Sequence, residues 1–374
     1  MRYEPTDDTE YDRVIEAFGA TPIDDATAAR FPDHPLVRRR VFYAGRDVDR
    51  FLDAATTGSA HAVVTGVGPS GPMHLGHVAP IYFARRVQEA TGAFVCLPLS
   101  DDEKRFDREM EFTDTSAALR SNLRDLLAVG FDPERTRIVI DTADADLVYP
   151  IAADLAADLT PATVRATYGE PSNAGLGFYP AVQATHLLLP QLLDEPQPTL
   201  VPIAADQDPH VRVCRDLAGK ERLPVEKPGA LLGQFLPSLD GEKMSSSTGE
   251  PIRLTDDEAT VRGKLHDAYT GGQRSVAAHR ERGGDPTDDV PFQLLAAIFE
   301  PDDDRLAAIA RDYRAGDLLS GELKELAADR IVSFLDDHQR RRAALGPLAE
   351  ELAPFRPTDA ERRRALDRIG LDSI

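Results

Sequence analysis

His74 and His77 stand three residues apart, with Leu75 and Gly76 between them. On a helix that spacing brings both imidazoles near one face. The run Gly66-Val67-Gly68-Pro69-Ser70-Gly71 comes just before them. Its small residues let a ligand approach the backbone closely. A helix starting near His77 offers free N–H groups and a partial positive charge, the setting in which a phosphate binds. Two imidazoles there can donate hydrogen bonds to a phosphoryl group as its charge builds. Losing one such donor typically costs about 2.7–4 kcal/mol. Gly66, Gly68 and Ser70 become candidate nucleotide contacts, and Gly76 leaves room for a flat ring such as adenine. Taken alone, the pair serves equally well as turn and core residues. As zinc ligands the two lack a suitably placed third partner, so no metal site is expected.

A second group lies far along the chain. Lys243, Met244, Ser245, Ser246 and Ser247 form a polar stretch with glycines at 241 and 249. Lysine occurs only at positions 104, 220, 227, 243, 264 and 324, so this loop holds a scarce residue type. A mobile ammonium with three hydroxyls can close over a polyphosphate. The plainer reading is a flexible surface loop.

The elements that must position these groups follow from the apolar pattern. His61–Thr65 reads as a short buried strand, residues 66–71 as a tight turn, and His77–Ala90 as a helix. Ala93–Leu99 is a second apolar strand, ending in Ser100-Asp101-Asp102-Glu103. Strand, turn, helix and strand make one βαβ unit of a parallel sheet. Helices at Ser116–Val129, Ala152–Ala157 and Ala181–Leu193, and strands at Arg137–Ile140 and Thr199–Ala204, continue the α/β alternation. From about Thr255 onward the pattern is helical, over Val261–Ala268, Phe292–Phe299, Asp304–Ala315 and Gly321–Ala344. Residues 1–55 carry short helical patterns (Tyr11–Phe18, Val48–Ala54) and the basic run Arg38-Arg39-Arg40. The expected division is an appended segment over 1–55, an α/β domain over 56–254 with an insertion at about 105–200, and a helical domain over 255–374.

Composition bounds the function. The 374 residues suit two or three domains. No apolar run is long enough to span a membrane, and the acidic opening MRYEPTDDTEYDR is not expected to be a secretory signal, so a cytoplasmic chain is expected. Cys96 and Cys214 form no CxxC pair, and a reduced chain without a disulfide is expected. The net charge of −21 would ordinarily disfavour a nucleic-acid partner. At molar ionic strength the Debye length falls to about 3 Å, and an acidic surface then keeps a protein hydrated rather than self-repelling. The acidity reads as adaptation to a salty interior, a halophilic trait.

His74-x-Gly76-His77 after the first strand, with Lys243–Ser247 after a later one, resembles the signature of class I aminoacyl-tRNA synthetases. The blocks Asp101–Lys104, Pro180–Ala184, Asp206–Pro209, Ala268–Gly272, His279–Gly284 and Gly316–Lys324 resemble the archaeal and eukaryotic branch of tryptophanyl-tRNA synthetases. The likeness spans about residues 8–345. It implies a Rossmann-like catalytic domain with a parallel sheet, followed by an all-α anticodon-binding domain. It also implies a reaction: the substrate carboxylate attacks the α-phosphorus of ATP, and the aminoacyl-adenylate then esterifies the tRNA 3′ end. On this resemblance His74, His77, Lys243 and Ser245 are the catalytic residues. ATP is bound by Gly66, Gly68, Ser70, Gly76, Met244, Ser246 and Ser247. The amino acid is held by Glu103, Gln183 and Gln207, with Val64 and Pro98 lining its pocket. Mg²⁺, tryptophan, tRNA(Trp) and a second copy of the chain are the implied partners. Arg311, Arg314, Arg330, Arg340, Arg341 and Arg342 are candidate RNA contacts, or a solvated charged face.

The chain departs from that family at two telling positions. Val64 and Pro98 stand where relatives carry a tyrosine and a glutamine that read the indole N–H. Neither side chain can accept a hydrogen bond. Another group or water reads that N–H, or it is read loosely, or the chain is a specialised second copy. An adenylyl-transfer enzyme of altered specificity and a non-catalytic derivative are the competing functions. The retained Lys243 loop and the helical region argue against the first, and the intact His74, His77 and Lys243 against the second.

Overall fold

The structure is a computed structural model that describes Ile15 and residues 19–107, 110–220, 222–234, 236–241 and 250–371. Lys243, Met244, Ser245, Ser246 and Ser247 lie outside the described residues, as does most of the Tyr11–Phe18 pattern. Among the described residues seven strands form one sheet: β1 (Thr21–Pro22), β2 (Phe42–Arg46), β3 (Ala62–Val64), β4 (Phe94–Leu99), β5 (Thr136–Ile140), β6 (Thr199–Ala204) and β7 (Gly229–Gly233). Their order is β1-β2-β7-β6-β3-β4-β5. β3 runs parallel to β4 with Val64 beside Cys96, and parallel to β6 with Val63 beside Leu200. β4 runs parallel to β5 with Pro98 beside Val139. The near-continuous burial of Val95 to Leu99 is what a strand covered on both faces requires.

The described residues fall into two compact units. One holds those within Gly45–Pro72, Pro80–Leu232 and Leu345–Ile374, and the other those within Met1–Ala44, Met73–Ala79 and Gly233–Ala344. The first carries most of the sheet with helices α1 (Val48–Thr57), α3 (Phe112–Val129), α4 (Ala145–Ala156), α5 (Ala174–Leu193), α6 (Asp208–Ala218) and α10 (Asp359–Arg368). The second is mainly helical, with α7 (Glu258–Asp267), α8 (Asp303–Ala315) and α9 (Ser320–Ala344). Helix α2 (Leu75–Thr91) begins in the second and ends in the first.

Local chemistry explains where sequence reading fell short. α4 and α5 start seven residues before the expected Ala152 and Ala181. Pro150 and Pro180 lie inside them, and an internal proline reads as a breaker because it removes a helical N–H. β7 was hidden by its terminal glycines, which read as turns. Gly229 is required there, since a Cβ would lie 2.8 Å from the carbonyl oxygen of Arg46. Within residues 1–55 the helical pattern concealed β1 and β2, which contribute to the sheet. Phe292–Phe299 is an α-helical turn to Leu294 followed by a π-helical turn over Leu295–Phe299.

The basic run at 38–40 is structural. Arg39 is only 1% exposed and donates to Asp303 at 2.6 Å and to the Ala296 carbonyl at 2.7 Å. In the sheet unit, α10 is fastened by ion pairs: Arg137 on β5 to Glu361 at 2.9 Å, and Arg356 and Arg362 both to Asp144. Asp144 is wholly buried and also accepts the Ile140 N–H at 2.7 Å. Replacing it with alanine removes the carboxylate that two guanidiniums share, leaving Arg356 without an acid among the described residues and Arg362 with only Asp146 at 3.1 Å. Asp144→Ala should lower unfolding free energy by about 3–5 kcal/mol, read by denaturant unfolding in concentrated KCl. A change under about 1 kcal/mol would show the pairs to be ornamental.

Candidate active site

Candidate chemistry occurs in both units. In the helical unit, Met73–Leu75 is laced to the segment that follows the Lys243 loop. The Leu75 N–H donates to the Ile252 carbonyl at 3.0 Å, the Leu254 N–H to Met73 at 2.9 Å, and His74 bridges Arg253 in antiparallel fashion. Lys264 braces that segment through Asp256 at 2.7 Å and the Pro251 carbonyl at 2.9 Å. Gln339 on α9 adds bonds to the Leu254 and Asp256 carbonyls, each 2.9 Å. The stem leaving the Lys243 loop is thus tied to the chain at His74.

The two histidines are held with fixed chemistry. The Gly76 N–H donates to His74 Nδ1 at 3.1 Å, and the His74 N–H donates to His77 Nδ1 at 3.2 Å. The ring centroids are 4.1 Å apart. Burial, with Arg253 nearby, lowers the His74 pKa to about 4. Burial, with His74 nearby, lowers that of His77 to about 3. Both imidazoles are therefore neutral near pH 7. Because each Nδ1 accepts a backbone N–H, the proton of each ring resides on Nε2. The pair presents two neutral N–H donors without the cost of burying a charge.

In the sheet unit the candidate residues gather at the carboxyl ends of the strands. The parallel ladder continues past β3, with the Thr65 N–H on the Cys96 carbonyl at 3.2 Å and the Val67 N–H on Pro98 at 3.1 Å. Gly66 is required, because a Cβ would lie 2.5 Å from the Pro98 oxygen. A Cβ at Gly68 would lie 3.2 Å from Glu103 Oε2, which places the Glu103 carboxylate against the glycine turn. Glu103 is half-buried at the start of a short helix, Glu103–Asp107, and Lys104 Nζ is 3.8 Å from its carboxylate. Gln183 is half-buried on α5, and Val64 and Pro98 are buried in β3 and β4. Gln207 is exposed, at the end of the turn Ala205–Gln207 beyond β6. Ser70 is half-buried in the glycine turn, and Gly76 lies in the first turn of α2.

Sequence reasoning missed a polar cluster beneath these residues. Asp102 accepts the Tyr149 hydroxyl at 2.8 Å, and Asp141 pairs with His186 at 2.7 Å. Burial, with Asp141 close by, raises the Asp102 carboxyl to about 6. Burial opposes charge on His186, but Asp141, Asp102 and Glu103 together outweigh it and raise the imidazole pKa. The one visible signal was positional: Asp102 and Asp141 each fall just past a strand's end, where α/β sheets bind ligands.

The family described as tRNA synthetases class I (W and Y) matches residues 56–336. A Halobacterium salinarum protein named tryptophan–tRNA ligase 2 is 62% identical over 367 residues, covering 98% of this chain and 96% of that one. A Pyrobaculum calidifontis tryptophan–tRNA ligase is 39% identical, covering 89% of this chain and 91% of its own. The solved tryptophanyl-tRNA synthetase from Giardia lamblia superposes with a TM-score of 0.84 at 30% identity, over 96% of this chain and all (100%) of that one.

The histidine environment fixes a pH response. Both folded pKa values lie below the usual 6.5, so the unfolded chain binds these protons first. Their contribution to stability is complete above pH 6.5 and is lost as pH falls through 6.5 towards 3. In ring-resolved NMR the resonances of His74 and His77 should hold their neutral positions down to pH 5. Titration of either near 6.5 would remove the neutral-donor assignment.

Proposed function

The chain belongs to the class I tRNA synthetases of the W and Y type, and on that premise we propose that it ligates tryptophan to its tRNA through a tryptophanyl-adenylate. One observation in the fold carries the reading. Strand order reverses at β3, with β4 and β5 on one side and β6 and β7 on the other, and ligands of open α/β sheets bind outside the carboxyl ends at such a reversal. The glycine turn leaves β3 there, and Glu103 lies beside it.

The chemistry follows from the groups present. The tryptophan carboxylate attacks the α-phosphorus of ATP, the bond to the bridging oxygen breaks, and pyrophosphate leaves with that electron pair. The 3′-terminal ribose hydroxyl of tRNA then attacks the acyl carbon and AMP departs. No enzyme nucleophile is needed, so catalysis rests on positioning and charge stabilisation. His74 and His77 donate from Nε2 to the phosphates, and Gly76 packs near adenine. Gly66, Gly68 and Ser70 admit the nucleotide to the backbone. Lys243, Ser245, Met244, Ser246 and Ser247 form the loop that closes on the β- and γ-phosphates. Glu103 pairs with the substrate ammonium, and Gln183 and Gln207 serve its ammonium and carboxylate.

Among the described residues no group of three His, Cys, Asp or Glu could hold a metal. Mg²⁺ would enter with the phosphates of ATP and would neutralise their charge. The helical region from residue 255 carries the anticodon contacts, with Arg311, Arg314, Arg340, Arg341 and Arg342 as candidates. Arg330 binds the buried Glu300 at 2.8 Å instead. Assembly as a homodimer through residues 105–200 and a cytoplasmic, salt-rich setting complete the reading. Among the described residues no helix is long and apolar enough to cross a membrane.

Tryptophan-dependent exchange of pyrophosphate into ATP, assayed in molar KCl, tests the activity. Tyrosine-dependent exchange, or none, would contradict it. Lys243→Ala should cut exchange by about 10²–10³-fold, as loss of a preorganised charge-stabilising donor does. Glu103→Gln should raise KM for tryptophan by about tenfold or more while leaving KM for ATP in place, because a hydrogen bond to a charged group is worth about 1.5–3 kcal/mol. Parallel rises in both constants would argue for a structural carboxylate.

A further inference from the structure

The ends of β3 and β4 present Val64 and Pro98, and neither side chain offers an acceptor. An indole buried against them needs its N–H met by another group. Tyr179, on the first half of α5, is 4% exposed. Its hydroxyl has no partner in hydrogen-bond geometry among the described residues, although Ser100 adjoins it. A buried hydroxyl left unpaired costs about 1–3 kcal/mol, so its retention calls for a partner that arrives from outside.

Tyr179 is firmly placed. Its ring lies 6.4 Å from that of Phe106, which is on the Glu103 helix. Asn173, the N-cap of α5, donates to the Phe106 carbonyl at 3.0 Å. Gly175 is needed for this approach, since a Cβ would lie 2.2 Å from the Phe106 ring. Gln183 is one turn further along α5, on the same face as Tyr179. Burial, with Glu103, Asp141 and Asp102 nearby, holds the Tyr179 phenol protonated well above its usual range.

We propose that the Tyr179 hydroxyl reads the indole N–H of tryptophan, replacing the acceptors absent at Val64 and Pro98; this rests on the tryptophan-ligase reading. A protonated phenol accepts the indole N–H on its oxygen. Asp102 and Asp141 are buried near enough for their charge to help keep the phenol protonated.

The test uses the full-length enzyme in molar KCl and compares tryptophan with benzothienylalanine, whose sulfur replaces the N–H. The unaltered enzyme should favour tryptophan in kcat/KM for pyrophosphate exchange by about tenfold or more. Tyr179→Phe keeps the ring against Phe106 and should bring that ratio to within about threefold of unity, by lowering the tryptophan value and sparing the analogue. A crystal structure with bound tryptophan should place the indole nitrogen within about 3.2 Å of Tyr179 Oη, a readout independent of how the variant folds. Unaltered enzyme indifferent to the analogue, a Phe variant that keeps the preference, or an indole nitrogen bonded to water or Asp141 instead would each overturn the assignment. Unaltered enzyme that activates neither amino acid would remove the ligase reading itself.

Discussion

The close passage of the glycine turn over β4 governs the whole active edge. Beyond Val64 the backbone stays in the parallel ladder for three more residues, borrowing carbonyls from Cys96 and Pro98. That is possible only because Gly66 has no side chain to meet the Pro98 oxygen. The turn is thereby pressed against the strand whose end supplies Asp101, Asp102 and Glu103. Position along the sheet, rather than any single bond, makes Glu103 available where a ligand would lie.

The charge pattern is organised inward as well as outward. Buried or half-buried arginines are joined to acids within each unit: Arg39 to Asp303, Arg330 to Glu300, and Arg356 and Arg362 to Asp144. Such pairs keep their strength when salt screens the surface, since screening acts least where solvent is excluded. Arg262 joins Glu258, Glu325 and Asp329 on the surface, and that network should weaken with salt. Internal pairs therefore carry more of the ionic contribution to folding in concentrated salt.

Much of this was legible in the sequence, and the failures are instructive. β3, the glycine turn and the start of α2 could be read because apolar period and small residues coincide there. β6 could be read over Thr199–Ala204 because a buried parallel strand is apolar throughout. The histidines were visible as a pair, but not their protonation. That depends on which backbone N–H each Nδ1 accepts, a tertiary fact. Glu103, Gln183 and Gln207 stood out only through resemblance, as any solvated acid or amide looks the same in sequence. Tyr179 carried no signal, since one aromatic beside Pro180 reads as core. Its meaning lies in a buried hydroxyl that has no partner in hydrogen-bond geometry among the described residues, a tertiary fact.

An enzyme with a net charge of −21 must still hold a polyanion. In dilute buffer, counterion release from phosphates dominates such binding, and its contribution falls linearly with the logarithm of salt concentration. In molar salt that contribution is largely gone, and with it the penalty for a negative surface, because charges more than about 3 Å apart no longer interact strongly. What remains is contact: hydrogen bonds, stacking and shape, which carry identity rather than bulk affinity. The acidic composition and an RNA substrate are then compatible, provided recognition rests on a few direct contacts from the helical region. The neutral histidine pair follows the same logic. In the role proposed for it, a neutral pair of N–H donors in a partly buried turn would depend far less on ionic strength than exposed cations.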